Sequence, residues 1–259
     1  MVALIGSSHR IHSLPYTEPT CASDLKRDLL AYYPFNGNFN DASGNGNQAY
    51  PRNGAHLTTD QSGQAIKAAG FDGQDDYIIV PGNSRLNADS FTISFLVLVN
   101  DIDRRNTTVN RVKFGNCSSL VFGVGESLAE DNDWSFGVTP GKDGCSVIYG
   151  YDPSLAIHAK RIINEGVWHS VIATFGKGLQ QIYIDGVPQG STKRRFQTAK
   201  KCADADLVIG GWWSKDVISI DGKIDEVRLY GRVINECEIA KLASAVMPVT
   251  RRTNRLPLR

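Results

Sequence analysis

Carboxylates set the chemistry this sequence can do. In Gly222-Lys223-Ile224-Asp225-Glu226-Val227-Arg228-Leu229-Tyr230, a strand of period two places Asp225, Val227 and Leu229 on one face and Glu226, Arg228 and Tyr230 on the other. Asp225 is therefore expected to point with the apolar set, where a carboxylate has to be hydrogen-bonded, paired or bound to a cation. Calcium meets that need, because it takes roughly six to eight oxygen ligands from flexible loops. The run 36–47 (NGNFNDASGNGN), which contains Asp41, can offer them. One structural calcium held by Asp41, Asp225 and loop carbonyls is the expectation. The alternative is an Asp225 satisfied by backbone amides or by Lys223.

Two further groups carry candidate chemistry. Asp72, Asp75 and Asp76 lie in Phe-Asp-Gly-x-Asp-Asp-Tyr, where Asp and Gly serve a turn for backbone reasons alone; metal or ligand contact is the second reading. Trp212 and Trp213 follow Ile209-Gly210-Gly211 and precede Asp216. An aromatic pair just outside a strand offers a flat face for a sugar ring, with Asp216 as an acceptor for hydroxyls. Packing of either ring back onto a sheet is the competing reading.

The elements that must position these residues are strands. Across 259 residues there are 25 Gly and 10 Pro but only 2 Met, and twenty Asp outnumber seven Glu, so turn formers exceed helix formers. Short apolar or alternating segments bounded by Gly, Asn, Asp or Pro recur, as at 77–80, 91–99 and 168–175. The last of these leads through Gly176-Lys177-Gly178 into 179–184 and then Asp185-Gly186, a meander. Near the end, Asn235 with Glu238 three residues on forms a capping box, with Ile234 and Ile239 as its staple. Residues 1–28 read as a loose arm, 29–245 as one domain, and 246–259 as a basic disordered tail.

Some function classes are excluded. The formal net charge is +1, which disfavours nucleic acid as the main partner. No apolar run reaches the length of a membrane span, so no membrane insertion is expected, and the first twenty residues show no signal-peptide core. Five cysteines stand at 21, 117, 145, 202 and 237 without a Cys-x-x-Cys pair. A Cys117–Cys145 bridge is one open pairing for an exported chain.

Taken in order, the segments 30–47 (LAYYPFNGNFNDASGNGN), 71–80 (FDGQDDYIIV), 91–95 (FTISF), 168–186 (WHSVIATFGKGLQQIYIDG) and 222–239 (GKIDEVRLYGRVINECEI) resemble the laminin-G-like jelly rolls of the concanavalin A-like lectin/glucanase superfamily. The resemblance implies an all-β, two-sheet antiparallel β-sandwich with one short C-terminal helix, and it adds weight to a structural calcium near the first and last strands. It also implies a non-catalytic carbohydrate-binding or adhesion module, extracellular or on the cell surface, whose partner is a glycan or glycoprotein. The alternative is a structural or protein-interaction domain of a larger extracellular assembly without a sugar site. Glucanase relatives carry a Glu-x-Asp-x-x-Glu type run on one strand. None of Glu18, Glu126, Glu130, Glu165, Glu226, Glu236 and Glu238 belongs to such a run, so no enzyme is expected.

Overall fold

The computed structural model describes residues 22–101, 106–107, 109–113, 117–124, 135–138, 156–158, 164–193, 195, 197, 206–211 and 219–246. Within them run β1 (Leu29–Tyr33), β2 (Tyr50–Arg52), β3 (His56–Thr58), β4 (Ala68–Asp72), β5 (Tyr77–Val80), β6 (Phe91–Val99), β7 (Asn106–Thr107) and β8 (Val109–Lys113). They continue as β9 (Cys117–Val124), β10 (Ser135–Val138), β11 (Ala156–His158), β12 (Trp168–Gly176), β13 (Leu179–Ile184), β14 (Val187–Lys193), β15 (Asp206–Ile209) and β16 (Asp221–Tyr230). One α-helix, α1 (Glu236–Ala243), follows. The strands form two antiparallel sheets. The first has the order β14-β13-β12-β6-β16-β4-β3 with β1 also on β16, and the second β11-β10-β9-β8-β15-β5-β2 with β7 on β9.

Period two makes the sandwich. Along β6, Phe91, Ile93, Phe95, Val97 and Val99 enter the core, where they meet Val171, Ala173 and Phe175 of β12 and Ile78, Val80, Leu207 and Ile209 of the second sheet. Fully burying each such side chain is worth about 1.5–3 kcal/mol. A second apolar cluster lies on the opposite face of the first sheet, where Ile234, Ile239 and Leu242 cover Ile172 and Tyr230. Helix α1 starts as the spacing predicts: Asn235 accepts from the amides of Cys237 and Glu238, and the Glu238 side chain returns to the Asn235 amide. Both meander turns have left-handed backbone at each central residue, Lys177-Gly178 and then Asp185-Gly186, which matches the twist of the strands they join.

Other features depart from the expectations. β2, β3 and β14 carry no apolar alternation to announce them. β2 and β3 are three residues long, and β14 (VPQGSTK) is an edge strand with Pro188 near its start. Residues 22–28, expected as part of a loose arm, are tied to α1. The Asp24 amide donates to Glu238 Oε1 at 3.0 Å, and Arg232 donates to the carbonyls of Asp24 (2.8 Å) and Arg27 (3.1 Å). The basic tail beyond 246 and Cys145 lie outside the described residues, as do the side chains of 106–158.

Candidate functional site: one rim of the sandwich

Strand register brings several turns to one rim. Asp72 stands opposite Asp221, Gly222 opposite Val99, and Trp168 opposite Leu98. In the second sheet Ile209 pairs with Ile78. The β4–β5 turn, the end of β6, the start of β12, the β13–β14 turn and the β15–β16 connection therefore share this rim. His169, 3% exposed, fixes part of it: its Nδ1 donates to Asp185 Oδ2 at 2.9 Å while its Nε2 accepts the Asn164 amide at 3.3 Å. These contacts give His169 a structural role on the rim.

The acidic turn is built on Asp76. This residue is 1% exposed; its Oδ1 accepts the Gly54 amide at 2.6 Å and its Oδ2 the Asp72 amide at 3.0 Å. Asp72 Oδ1 in turn accepts the Gln74 amide at 2.8 Å. So the turn reading holds for these residues. Carboxylate oxygens of Asp72, Asp75 and Asp76 also all lie within 4.8 Å of one another, with Asp72 and Asp75 exposed. Such a group can hold an ion. Among the described residues it is the one group of three or more acid, His or Cys ligands so close together.

Trp212, Trp213 and Asp216 lie outside the described residues, while the described residues on either side of them, Gly211 and Ser219, are placed. Ser219 Oγ donates to the Asp76 carbonyl at 2.8 Å and sits 3.1 Å from the Gly210 carbonyl, which also accepts the Ile220 amide at 2.8 Å. Gly211 packs so tightly that an added Cβ would stand 3.0 Å from the Asp76 carbonyl and 2.9 Å from Tyr77 Cβ. The described residues on either side of 212–218, Gly211 and Ser219, therefore both touch the acidic turn. Nothing in the sequence signalled this neighbourhood, because 76 and 219 are joined only through the tertiary fold.

Gly210 guards that stem. Its φ is +84° and an added Cβ would run into the Phe71 ring. Gly210→Ala is expected to lower stability by about 2–4 kcal/mol, from backbone strain and overpacking together. A thermal melt unchanged from wild type would contradict this.

Asp41 and Asp225 sit elsewhere. Asp41 Oδ1 accepts the amides of Tyr32 (3.0 Å) and Ser43 (2.8 Å), and its Oδ2 that of Asn47 (2.9 Å), so the carboxylate folds its own loop. The parity expected of Asp225 is corrected by a bulge. Glu226 has φ +55° and the register slips between Asp225 and Arg228. Ile224, Val227 and Leu229 all enter the core, whereas Asp225 pairs with Leu96, whose neighbours Phe95 and Val97 are the core residues. Asp225 thus faces away from the core, though it is only 3% exposed. It stands where β16 changes partner from β4 to β1. Burial pushes its carboxyl up to about 8, aided by the negative charges of Glu226 and Asp60; the bond from the Glu226 amide (2.7 Å) and the charge of Arg228 oppose this. Beside it, Arg228 pairs with Glu226 and lies 4.0 Å over the Tyr32 ring, and Tyr32 donates to Glu226 at 3.0 Å.

Known structures share this architecture. Domain 4 of an extracellular GH43 arabinanase from Geobacillus stearothermophilus, solved with arabinotriose, aligns with a TM-score of 0.63 at 21% identity, over 83% of this chain and 98% of that one. The binding domain of Paraclostridial Mosquitocidal Protein 1 aligns with a TM-score of 0.63 at 16% identity, over 86% and 53%. The binding domain of Botulinum neurotoxin DC, in complex with rat synaptotagmin II, gives 0.60 at 15%, over 86% and 53%. The chain spans about half the length of these two toxin domains. At such identities the likeness speaks for the fold. No curated protein sequence matches the chain. The family model described as the concanavalin A-like lectin/glucanases superfamily (Laminin_G_3) matches residues 72–240, and the chain belongs to that family.

Proposed function

We propose that this chain is a non-catalytic carbohydrate-binding or adhesion module, exported or held at a cell surface, with its ligand site on the rim that carries the acidic turn. The observation that supports it most is the anchoring of both ends of the Trp212, Trp213 and Asp216 loop on Asp76, next to the exposed carboxylates of Asp72 and Asp75. An aromatic platform beside oxygen acceptors suits a sugar, whose ring faces are apolar and whose edge is hydroxyl-rich. The arabinanase domain solved with arabinotriose lends the fold a sugar-binding precedent. The disulfide at Cys237 suits an oxidising, extracellular setting.

A glycan array followed by calorimetry on the best oligosaccharide tests the reading. Trp212→Ala or Trp213→Ala should weaken binding at least tenfold, about 1.4 kcal/mol. An array with no signal above background in calcium overturns it. Since one toxin binding domain of this fold was solved with the protein synaptotagmin II, capture of a defined protein partner instead of any glycan would support the structural or protein-interaction reading.

Calcium belongs to the same proposal, with two placements. One is the expected site of Asp41 and Asp225: Asp225 is buried among acids at a strand junction, where Phe35 and Ile66 turn the chain in left-handed conformations and both carbonyls accept the Gly37 amide at 2.9 Å. The other is Asp72 with Asp75 and Asp76. Calcium calorimetry on Asp225→Asn and on Asp72→Asn/Asp75→Asn separates them, since the heat of binding should vanish in one variant only. No binding to wild type removes both.

A further inference from the structure

We infer that Cys21 is the disulfide partner of Cys237, so that a covalent clasp joins the segment leading into Ala22 to the closing helix. Cys237 is disulfide-bonded, and it is the second residue of α1. A disulfide needs Cα atoms roughly 4.4–6.8 Å apart. The residue after Cys21 is already at the helix: the Ala22 carbonyl accepts Asn235 Nδ2 at 3.1 Å, two residues before Cys237. The contact is extended by the Asp24 amide on Glu238 and by Lys241 Nζ on Ser23 Oγ at 3.4 Å. Residues 22–24 and 235–241 therefore run side by side, and one further step along the chain, about 3.8 Å, reaches Cys21.

Of the other cysteines Cys117 is poorly placed, and Cys145 and Cys202 lie outside the described residues. Helix α1 covers the outer face of the first sheet, on Ile172 and Tyr230. Cys117 is in β9 of the second sheet, and packed sheets stand about 10 Å apart. Cys202 lies four residues before β15, also in the second sheet. In forming the bond, each of the two thiols loses a proton; the two electrons pass to the disulfide of an oxidising carrier, which leaves as a dithiol. The consequence is a closed ring enclosing the whole sandwich, with the Glu238 and Arg232 anchor inside it.

Mass spectrometry of a non-reduced digest of the full chain, produced by export through an oxidising compartment, tests this directly. The Cys21 and Cys237 peptides should appear as one linked species, and in Cys21→Ser the Cys237 thiol should become open to alkylation. Reduction of wild type should lower the melting temperature by roughly 5–15 °C, and Cys21→Ser should reproduce most of that drop. A Cys237 peptide linked to Cys117, Cys145 or Cys202, or recovered with a free thiol from the exported wild-type chain, overturns the inference.

Discussion

Glu238→Ala is expected to cost about 3–5 kcal/mol of folding stability, the range for removing one member of a buried ion pair. Glu238 is 1% exposed and both its oxygens are doubly engaged. Oε1 accepts the Asp24 amide (3.0 Å) and Arg232 Nη2 (2.7 Å), and Oε2 accepts the Asn235 amide (2.9 Å) and Arg232 Nη1 (2.7 Å). One residue thus closes the capping box, pairs Arg232 and ties down residues 22–28. Without it Arg232, 11% exposed, keeps only Asp28 at 4.0 Å as a counter-charge among the described residues. The hydrogen bonds from Arg232, seconded by the two amides, hold the Glu238 carboxyl at about 2 against the effect of burial. An unfolded glutamate titrates near ~4.3. Because the folded value is the lower one, this stabilisation is complete above about pH 5 and is lost as the pH falls toward 2, up to about 3 kcal/mol in all. Acid unfolding of Glu238→Gln should lack that component. If wild type and Glu238→Gln lose stability in parallel between pH 5 and 2, the anchor is not electrostatic.

Asp225 works in the opposite direction. Its carboxyl is raised to about 8 by burial and by its acidic neighbours, well above the unfolded value of ~3.9. A raised folded value means that stability is complete below about pH 4 and is lost as the pH rises through 8, with an upper limit on the order of 5–6 kcal/mol. In chelator, wild type should lose stability across that window, while Asp225→Asn stays level and is the more stable protein at pH 8 by about 1–3 kcal/mol. Urea unfolding at pH 5, 6.5 and 8 reads this out. A wild type equally stable at all three shows that the buried carboxyl ionises without penalty. Calcium bound at Asp225 would displace the proton, so adding it at pH 7 should release protons to the medium and flatten the pH profile of wild type but not of Asp225→Asn.

These two residues also mark what can be read from a sequence alone. Glu238 was legible. A capping box lies within four residues, its geometry is dictated by the helix backbone, and Asn235 and Glu238 stand in it as their spacing requires. Its link to Asp24, more than two hundred residues away, was not. Asp225 was legible only as a problem: a carboxylate in an apolar strand that must be satisfied somehow. The face it occupies follows from one extra residue in β16, at the point where β16 hands over from β4 to β1.

By itself the sequence determined the architecture, namely a two-sheet antiparallel sandwich with its meander and its capped closing helix. Those features rest on period-two burial, on glycine and asparagine in turns, and on side-chain capping, all of which act between residues close in the chain. Tertiary structure alone decided where the candidate chemistry gathers. Asp76 meets the stem of the tryptophan loop, and residues 22–24 meet α1, through pairings between strands and segments far apart in sequence. Their register depends on which strands become neighbours, and a single bulge turns every later side chain to the other face. Local preference carries no information about either.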